Sequence, residues 1–474
     1  MLRPTGFPNG LKRPLFLLAF CVATLTTASG ENWPQWRGTD NRGISRANPP
    51  IHWSSTKNVL WRKPIPGEGK STPILWKDQI FLLTAIAESD LQDYTREQRN
   101  EPLGSQTPQN KTEGYKWYVL SLNRHTGTEN WRRALTSGFP HEPGHPTNSL
   151  ASGSPVTDGS QLYVSLGSRG IFCLDLAGKI VWQRALGTMK TRFGFGEAST
   201  PAVYQKTLII QWDHEGQSAV YALNTHNGET IWRVPRSEPT TWSTPLIVNQ
   251  RTTPQVILNG KTAASYRLAD GKQLWSIEQE GVNPIACPMR DDDLAFLILG
   301  YRGYTLNAIN LVTPKDGRGL VRWSHSDTGS YVASATICEN KLFVTKGLQG
   351  IVSVIDSTNG QVIVKDKRYD ALGTLYASPL AVLPPDPKGE IATAIGRIET
   401  QNQQSPRIYY CSRDGTTVVI RGREPFDVLA VNQLEQTLDA SPVASGTKLY
   451  LRTSKSLYCL ENQPRNNDQT DNED

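Results

Sequence analysis

At 474 residues, with 39 Gly, 31 Pro and 13 Trp against 3 Met, the chain is rich in turns and poor in helical periodicity. That favours one large all-β repeat array over a helical bundle. Its formal charge is +6, and Arg3, Lys12 and Arg13 of the leader account for three of those charges; a balance this small, without a Lys/Arg stripe, excludes nucleic acid as a partner.

Residues 1–30 read as a signal peptide: a basic start, the apolar run Leu15 to Leu25, and the small residues Ala28-Ser29-Gly30 before Glu31. The expected location is therefore periplasmic or secreted. Phe20 stands where a lipidated cysteine wants a small neighbour, which argues against an anchor at Cys21. No later run approaches the roughly 20 apolar residues of a membrane span. Residues 31–57, with Trp33-Pro34-Gln35-Trp36-Arg37-Gly38, read as an aromatic cap packed on the domain that follows.

From residue 58 onward two phrases alternate. The first is Ser-x-Pro or Ser-Pro before a short apolar strand: Ser71-Thr72-Pro73, Ser154-Pro155, Ser199-Thr200-Pro201, Ser243-Thr244-Pro245, Ser378-Pro379 and Ser441-Pro442. Asn283-Pro284 and Ser334-Ala335-Thr336 stand degenerately in the two remaining places. The second is a hairpin ending on tryptophan, as in Ile171-Phe172-Cys173-Leu174-Asp175-Leu176-Ala177-Gly178-Lys179-Ile180-Val181-Trp182. From Trp131 the terminal tryptophans follow at 51, 50, 43 and 48 residues, reaching Trp182, Trp232, Trp275 and Trp323. A period of about 40 to 50 residues, with four short strands in each, is that of a propeller blade.

The openings count eight units, and the eighth lacks its last strand. Residues 58–65, with Val59-Leu60-Trp61, match the missing strand and are expected to close the ring from the N-terminus, since an open sheet edge invites aggregation. The predicted fold is an all-β, eight-bladed propeller of four-stranded antiparallel blades over 58–460. Residues 86–116 and 383–406 are expected to be insertions lacking strand periodicity, and 461–474 a disordered acidic tail.

The Leu-Asp/Asn-x-x-x-Gly-Lys/Glu-x-x-Trp phrase, the eightfold count and the N-terminal closure resemble the pyrroloquinoline-quinone-like repeat propellers, over residues 58–460. The resemblance implies that Trp61, Trp131, Trp182, Trp232, Trp275 and Trp323 each dock on a neighbouring blade. It also implies a weak joint at the sixth unit, where Ile363 stands for the tryptophan, and none is evident in the seventh. One branch of the family consists of quinoprotein dehydrogenases holding the quinone over calcium. The other consists of non-catalytic members such as the lipoprotein that assists outer-membrane protein assembly.

Residues just before each opening are expected at the channel mouth: Lys70, Asn148, Glu197, Trp242, Asn283, Tyr331, Tyr376 and Asp439. Glu197, Asn283 and Asp439 offer oxygen ligands of the kind calcium wants, but from three different openings. The adjacent cysteines often seen in the dehydrogenase branch are missing, as is a Cys-x-x-Cys-His haem motif. His141 and His145, with Glu142 and Asn148, form a conceivable metal pair in a loop; an ordinary polar loop is the plainer reading. Asp213-His214-Glu215 reads as a solvated hairpin tip, and Asp291-Asp292-Asp293 as a charged turn. The five cysteines after the leader are expected buried and unpaired.

These residues favour a monomeric, non-catalytic platform for a protein or cell-envelope partner, needing neither cofactor nor metal. Its contacts would come from the channel mouth and the loops 86–116 and 138–153. The alternative is a PQQ- and calcium-dependent dehydrogenase of alcohols or sugars. A sugar-binding propeller is a third possibility, supported only by the aromatic mouth.

Overall fold

The inner strands of each repeat are continuous apolar runs, and such runs need cover on both faces. Leu294–Leu299 is the example: every residue after Leu294 is buried, because the blades on either side pack against it. The computed structural model describes residues 31–93, 113–249, 253–312, 321–385 and 405–463. The leader expected at 1–30, most of both expected insertions and the tail beyond Gln463 lie outside these.

Eight blades of four antiparallel strands make up the ring, and one of them carries a fifth strand. Their innermost strands are Ile74–Trp76, Val156–Thr157, Ala202–Tyr204, Leu246–Val248, Met289–Asp291, Thr336–Cys338, Leu380–Val382 and Val443–Ser445, here blades 1 to 8. Blade 8 takes Val59–Pro64 as its outer strand, with Trp61 opposite Cys459 and Lys63 opposite Leu457, so the N-terminal strand closes the ring. No helix among the described residues is long and apolar enough to cross a membrane.

Segment 86–116 begins and ends in strand rather than loop. Ile86 pairs with Lys116 and Ala87 with Tyr115, followed outward by the helix Glu88–Asp93. Strand pairing continues there because Ala85, Ala87, Tyr115 and Trp117 belong to one buried cluster. The start of the acidic tail is also held: Glu461 donates its N–H to Asn58 O at 2.9 Å and pairs with Lys448 at 3.0 Å.

The hairpin tryptophans wedge between blades. Trp182 lies under the turn of blade 3, where Gly228 has φ 74° and an added Cβ would sit 2.7 Å from the indole; its Nε1 donates to Thr225 O at 2.8 Å. Trp61, Trp131, Trp232 and Trp323 sit in the same way under Gly127, Gly178, Gly271 and Gly360. Trp275 packs with Ala295, Leu297, Ile309 and Leu311 of blade 5.

At the sixth joint the residue in the tryptophan place is Val364, opposite Val354, and not Ile363; the bulge that precedes each docking residue sets that register. Nor is the wedge empty. Phe426 reaches back from the blade 7 hairpin, 1% exposed, with its ring 5.9 Å from Phe343, where Phe296 meets Trp323 in blade 5 at 5.7 Å. The seventh joint has Ala430 in the tryptophan place. Blade 8 has no hairpin turn there to dock on, because its outer strand comes from the other end of the chain. Trp53 fills that wedge, its ring stacked on Tyr409 at 6.3 Å and its backbone N–H donating to Asn432 Oδ1 at 2.8 Å.

The segment 31–57 does more than cap the ring: it threads one end of the channel. Trp33 bridges Leu75 of blade 1, and Pro34 O accepts from Thr157 N of blade 2 at 2.9 Å. Arg42 pairs with Asp291 of blade 5 at 3.3 Å, so the first Asp of that acidic turn holds the plug. Ile44–Ser45 then runs parallel beside Leu380–Val382 of blade 7. At the centre Arg37, 3% exposed, donates to Pro379 O at 2.7 Å and to Ala335 O, and burial pushes its guanidinium down to about 10. The plug gives hydrogen-bonding partners to inner-strand edges that would otherwise face the channel unpaired.

Candidate functional site

Each inner strand is preceded by a small hydroxyl or thiol residue, and these residues clasp one another around the axis. Thr72 N donates to Ser154 Oγ at 2.9 Å and Ser154 N to Thr200 Oγ1 at 2.9 Å. Ser199 Oγ joins blades 3 and 4 through Ser243 O at 2.8 Å. Thr244 N to Cys287 Sγ, Cys287 N to Ser334 Oγ and Ser334 N to Ser378 Oγ follow, each at 2.9 Å. Ser378 N to Ser441 Oγ and Ser441 N to Thr72 Oγ1, both at 3.1 Å, complete the circle. The fifth opening is therefore Cys287-Pro288, four residues later than the Asn283-Pro284 read from sequence. A thiol can accept an N–H as serine does, and burial pushes that thiol upward.

The clasp sets the register of the site. In extended chain, residues two apart share a face, so the positions two before each clasp residue line the wall above it. They are Lys70, Ser152, Ala198, Trp242, Ile285, Val332, Tyr376 and Asp439, and all eight border a funnel of about 650 Å³. Asn148, Asn283 and Tyr331 border it from higher up. Trp36 of the plug contributes to the lining, its Nε1 donating to Ser441 Oγ at 3.2 Å. Sequence reasoning missed Ser152, Ala198, Ile285 and Val332, which a strict two-residue offset from each Ser/Thr/Cys-Pro pair would have found.

Glu197 is the predicted mouth residue that does not border the funnel. It lies in an adjoining cleft of about 80 Å³. There it accepts Ser168 N at 2.8 Å and the Ser168 hydroxyl, with His141 Nε2 at 3.1 Å. That hydrogen bond raises the His141 pKa against the opposing effect of burial. His145 turns the other way, its ring 4.8 Å from Phe195 at the funnel, and burial, then Lys70 and Arg413, lower its pKa. His141 thus belongs to the cleft alone, whereas His145 borders both the cleft and the funnel.

Asp213-His214-Glu215 is not a solvated tip. The Asp213 side chain is fully buried and takes Arg236 Nε at 2.9 Å and Gln211 Nε2 at 2.7 Å; Glu215 accepts Thr240 N at 3.1 Å. The triplet follows Thr207–Trp212 into the joint between blades 3 and 4, where these polar groups meet.

The charge of the funnel is uneven. Asp439, its one carboxylate among the described residues, lies 2.6 Å from Lys70 Nζ and 2.8 Å from Arg413 Nε, and Arg413 also covers the Tyr376 ring at 4.5 Å. Arg192 and Arg302 border the same funnel near the rim. Among the described residues no group of three or more His, Cys, Asp or Glu converges, and Glu197, Asn283 and Asp439 do not share one wall. A calcium ion needs six to eight oxygens and would have to take Asp439 from two cations, so the donor set does not fit the calcium that the dehydrogenase branch implies. What the funnel offers is aromatic faces, hydrogen-bonding groups and an excess of positive charge.

A model of the family described as outer membrane protein assembly factor BamB matches residues 116–366. No curated protein matches the chain by sequence. Among solved structures, BamB from Moraxella catarrhalis is similar at 13% identity and a TM-score of 0.50, over 75% of this chain and 95% of that one. A europium-containing methanol dehydrogenase is similar at 9% and 0.55, over 91% and 98%. The quinohemoprotein alcohol dehydrogenase from Comamonas testosteroni is similar at 11% and 0.53, over 92% and 81%. At such identities these likenesses concern the fold, which serves both kinds of protein.

Proposed function

The chain belongs to the family of the outer membrane protein assembly factor BamB, and from that premise we propose that it is a non-catalytic binding propeller whose plugged funnel and rim engage a protein partner of the cell envelope. It acts as a monomer, in the periplasm or outside the cell, delivered by the leader at 1–30. The observation that carries this reading is the state of Asp439. Among the described residues the one carboxylate of the funnel is shared by Lys70 and Arg413, which leaves no free carboxylate and no anionic cage beside the aromatic wall. Trp242, Tyr331 and Tyr376, with Asn148 and Asn283, supply contact area and hydrogen bonds. The adjoining loop 138–153 extends the surface outward.

Site-specific photo-crosslinking tests it. A benzophenone analogue of phenylalanine at position 193, on the rim, is expected to trap an envelope protein in living cells. The same group at Val431, 52% exposed on the outer strand of blade 7, is expected to trap none. Adducts at 431 alone, or at neither position, would remove the funnel face from consideration as the partner's site.

A further inference from the structure

The rim carries groups that its own packing does not use. Phe193 is 77% exposed and holds a left-handed φ of 52°, a conformation that costs free energy in a bulky residue and tends to persist at binding sites. Arg192 lies over its ring at 5.3 Å, and Phe195 packs 5.5 Å from it. The turn Tyr301-Arg302-Gly303-Tyr304 has two more left-handed residues, Arg302 at φ 54° and Tyr304 at φ 49°. Tyr301 there stacks on Tyr331 at 4.8 Å. Among the described residues, neither Arg192 nor Arg302 has a carboxylate partner, whereas Lys70 and Asp439 already pair.

The rim thus adds two free guanidinium groups, each beside an aromatic ring, to a funnel whose one carboxylate is already shared between cations. Arginine beside an aromatic face suits a partner that brings both carboxylates and rings. A small molecule held inside the funnel would leave Phe193 and Tyr304 bare. A chain segment that crosses the rim and dips inward would cover both. We infer that the funnel rim receives an acidic, aromatic-bearing peptide segment of a partner protein, its carboxylates on Arg192 and Arg302 and its rings against Phe193 and Phe195. This inference rests on the binding reading above and names the chemistry of the partner.

The test is calorimetric titration of the purified protein with a synthetic decapeptide of alternating Glu and Tyr, and with its twin carrying Lys for Glu. The acidic peptide is expected to bind, more weakly as salt rises, and the basic twin not to bind. In the double variant Arg192→Glu/Arg302→Glu the acidic peptide should lose at least tenfold in affinity while the basic twin gains, a gain that an unfolded variant could not show. Equal binding of the two peptides, or a preference that the double variant leaves unchanged, would overturn the inference. If neither peptide binds while position 193 still crosslinks a partner, the inference falls and the binding reading stands. If the crosslink is missing too, both fall.

Discussion

Asp213→Ala is expected to lower the free energy of unfolding by about 3–5 kcal/mol, the usual cost of leaving a buried charge without its partner. Arg236 is the charge in question, its side chain 2% exposed and its Nε 2.9 Å from Asp213. It would keep its hydrogen bond to Tyr266 OH at 3.0 Å but lose its carboxylate. Gln211 and Thr241 also bond Asp213 Oδ2, at 2.7 and 3.2 Å, so the substitution strips several buried groups at once. Urea unfolding followed by tryptophan fluorescence gives the shift. Asp370→Ala, on an exposed turn residue with ordinary backbone conformation, is the control and should stay within about 0.5 kcal/mol of the parent. A loss below about 1 kcal/mol for Asp213→Ala would mean that water replaces the carboxylate and reaches Arg236 in the joint between blades 3 and 4.

Trp53→Ala should be of similar size, about 3–5 kcal/mol, the range for truncating a buried aromatic side chain. The site is exposing for a topological reason. Every other joint has a wedge residue carried by one of the two blades it separates: the hairpin tryptophans at six joints, Phe426 at the sixth. Between blades 7 and 8 the local residue is Ala430, and Trp53, 4% exposed, is brought in by the N-terminal segment. Its loss would leave a cavity over Tyr409 and loosen the closure of the ring. Phe426→Ala is expected to cost a comparable amount at its own joint. Trp36→Ala, on a partly exposed ring bordering the funnel, should cost distinctly less. Thermal unfolding of the three variants side by side decides this. A Trp53→Ala protein no less stable than Trp36→Ala would show that Trp53 does not hold the seventh joint.

The blades were legible in sequence because each is written locally: strand, glycine turn, strand, tryptophan. Gly228 and Trp232 lie four residues apart, and that spacing alone sets the hairpin of blade 3. The closing strand at 58–65 was legible for the same reason, being a copy of a phrase found elsewhere. What the sequence concealed were substitutions by position rather than by type. Cys287 stands where the other openings have serine or threonine, and the nearby Asn283-Pro284 drew the opening four residues early. Phe426 and Trp53 fill wedges from outside the repeat that lacks one, and no periodicity marks a residue supplied from elsewhere in the ring. The same limit hid the plug. Within the segment read as an aromatic cap, nothing local marks Arg37 as buried: the carbonyls of Pro379 and Ala335 reach it from more than 290 residues away.

The funnel was half visible. Lys70, Trp242, Tyr376 and Asp439 fall on the two-residue offset and were found; Glu197 is three residues before Thr200, on the opposite face of the extended chain, and belongs to the cleft. Ser152, Ala198, Ile285 and Val332 escaped notice because they carry no conspicuous chemistry. Sequence could not show that Asp439 is already paired with Lys70 and Arg413, and the proposed binding reading rests on that pairing.

The measurement that bears most directly on this account is calorimetric titration of the protein with pyrroloquinoline quinone in the presence of calcium, followed by dye reduction with simple alcohols and sugars. The account predicts no calcium-dependent, saturable heat and no reduction, since Asp439 is held by Lys70 and Arg413. Saturable binding that requires calcium and supports turnover would contradict it, and would return the chain to the dehydrogenase branch.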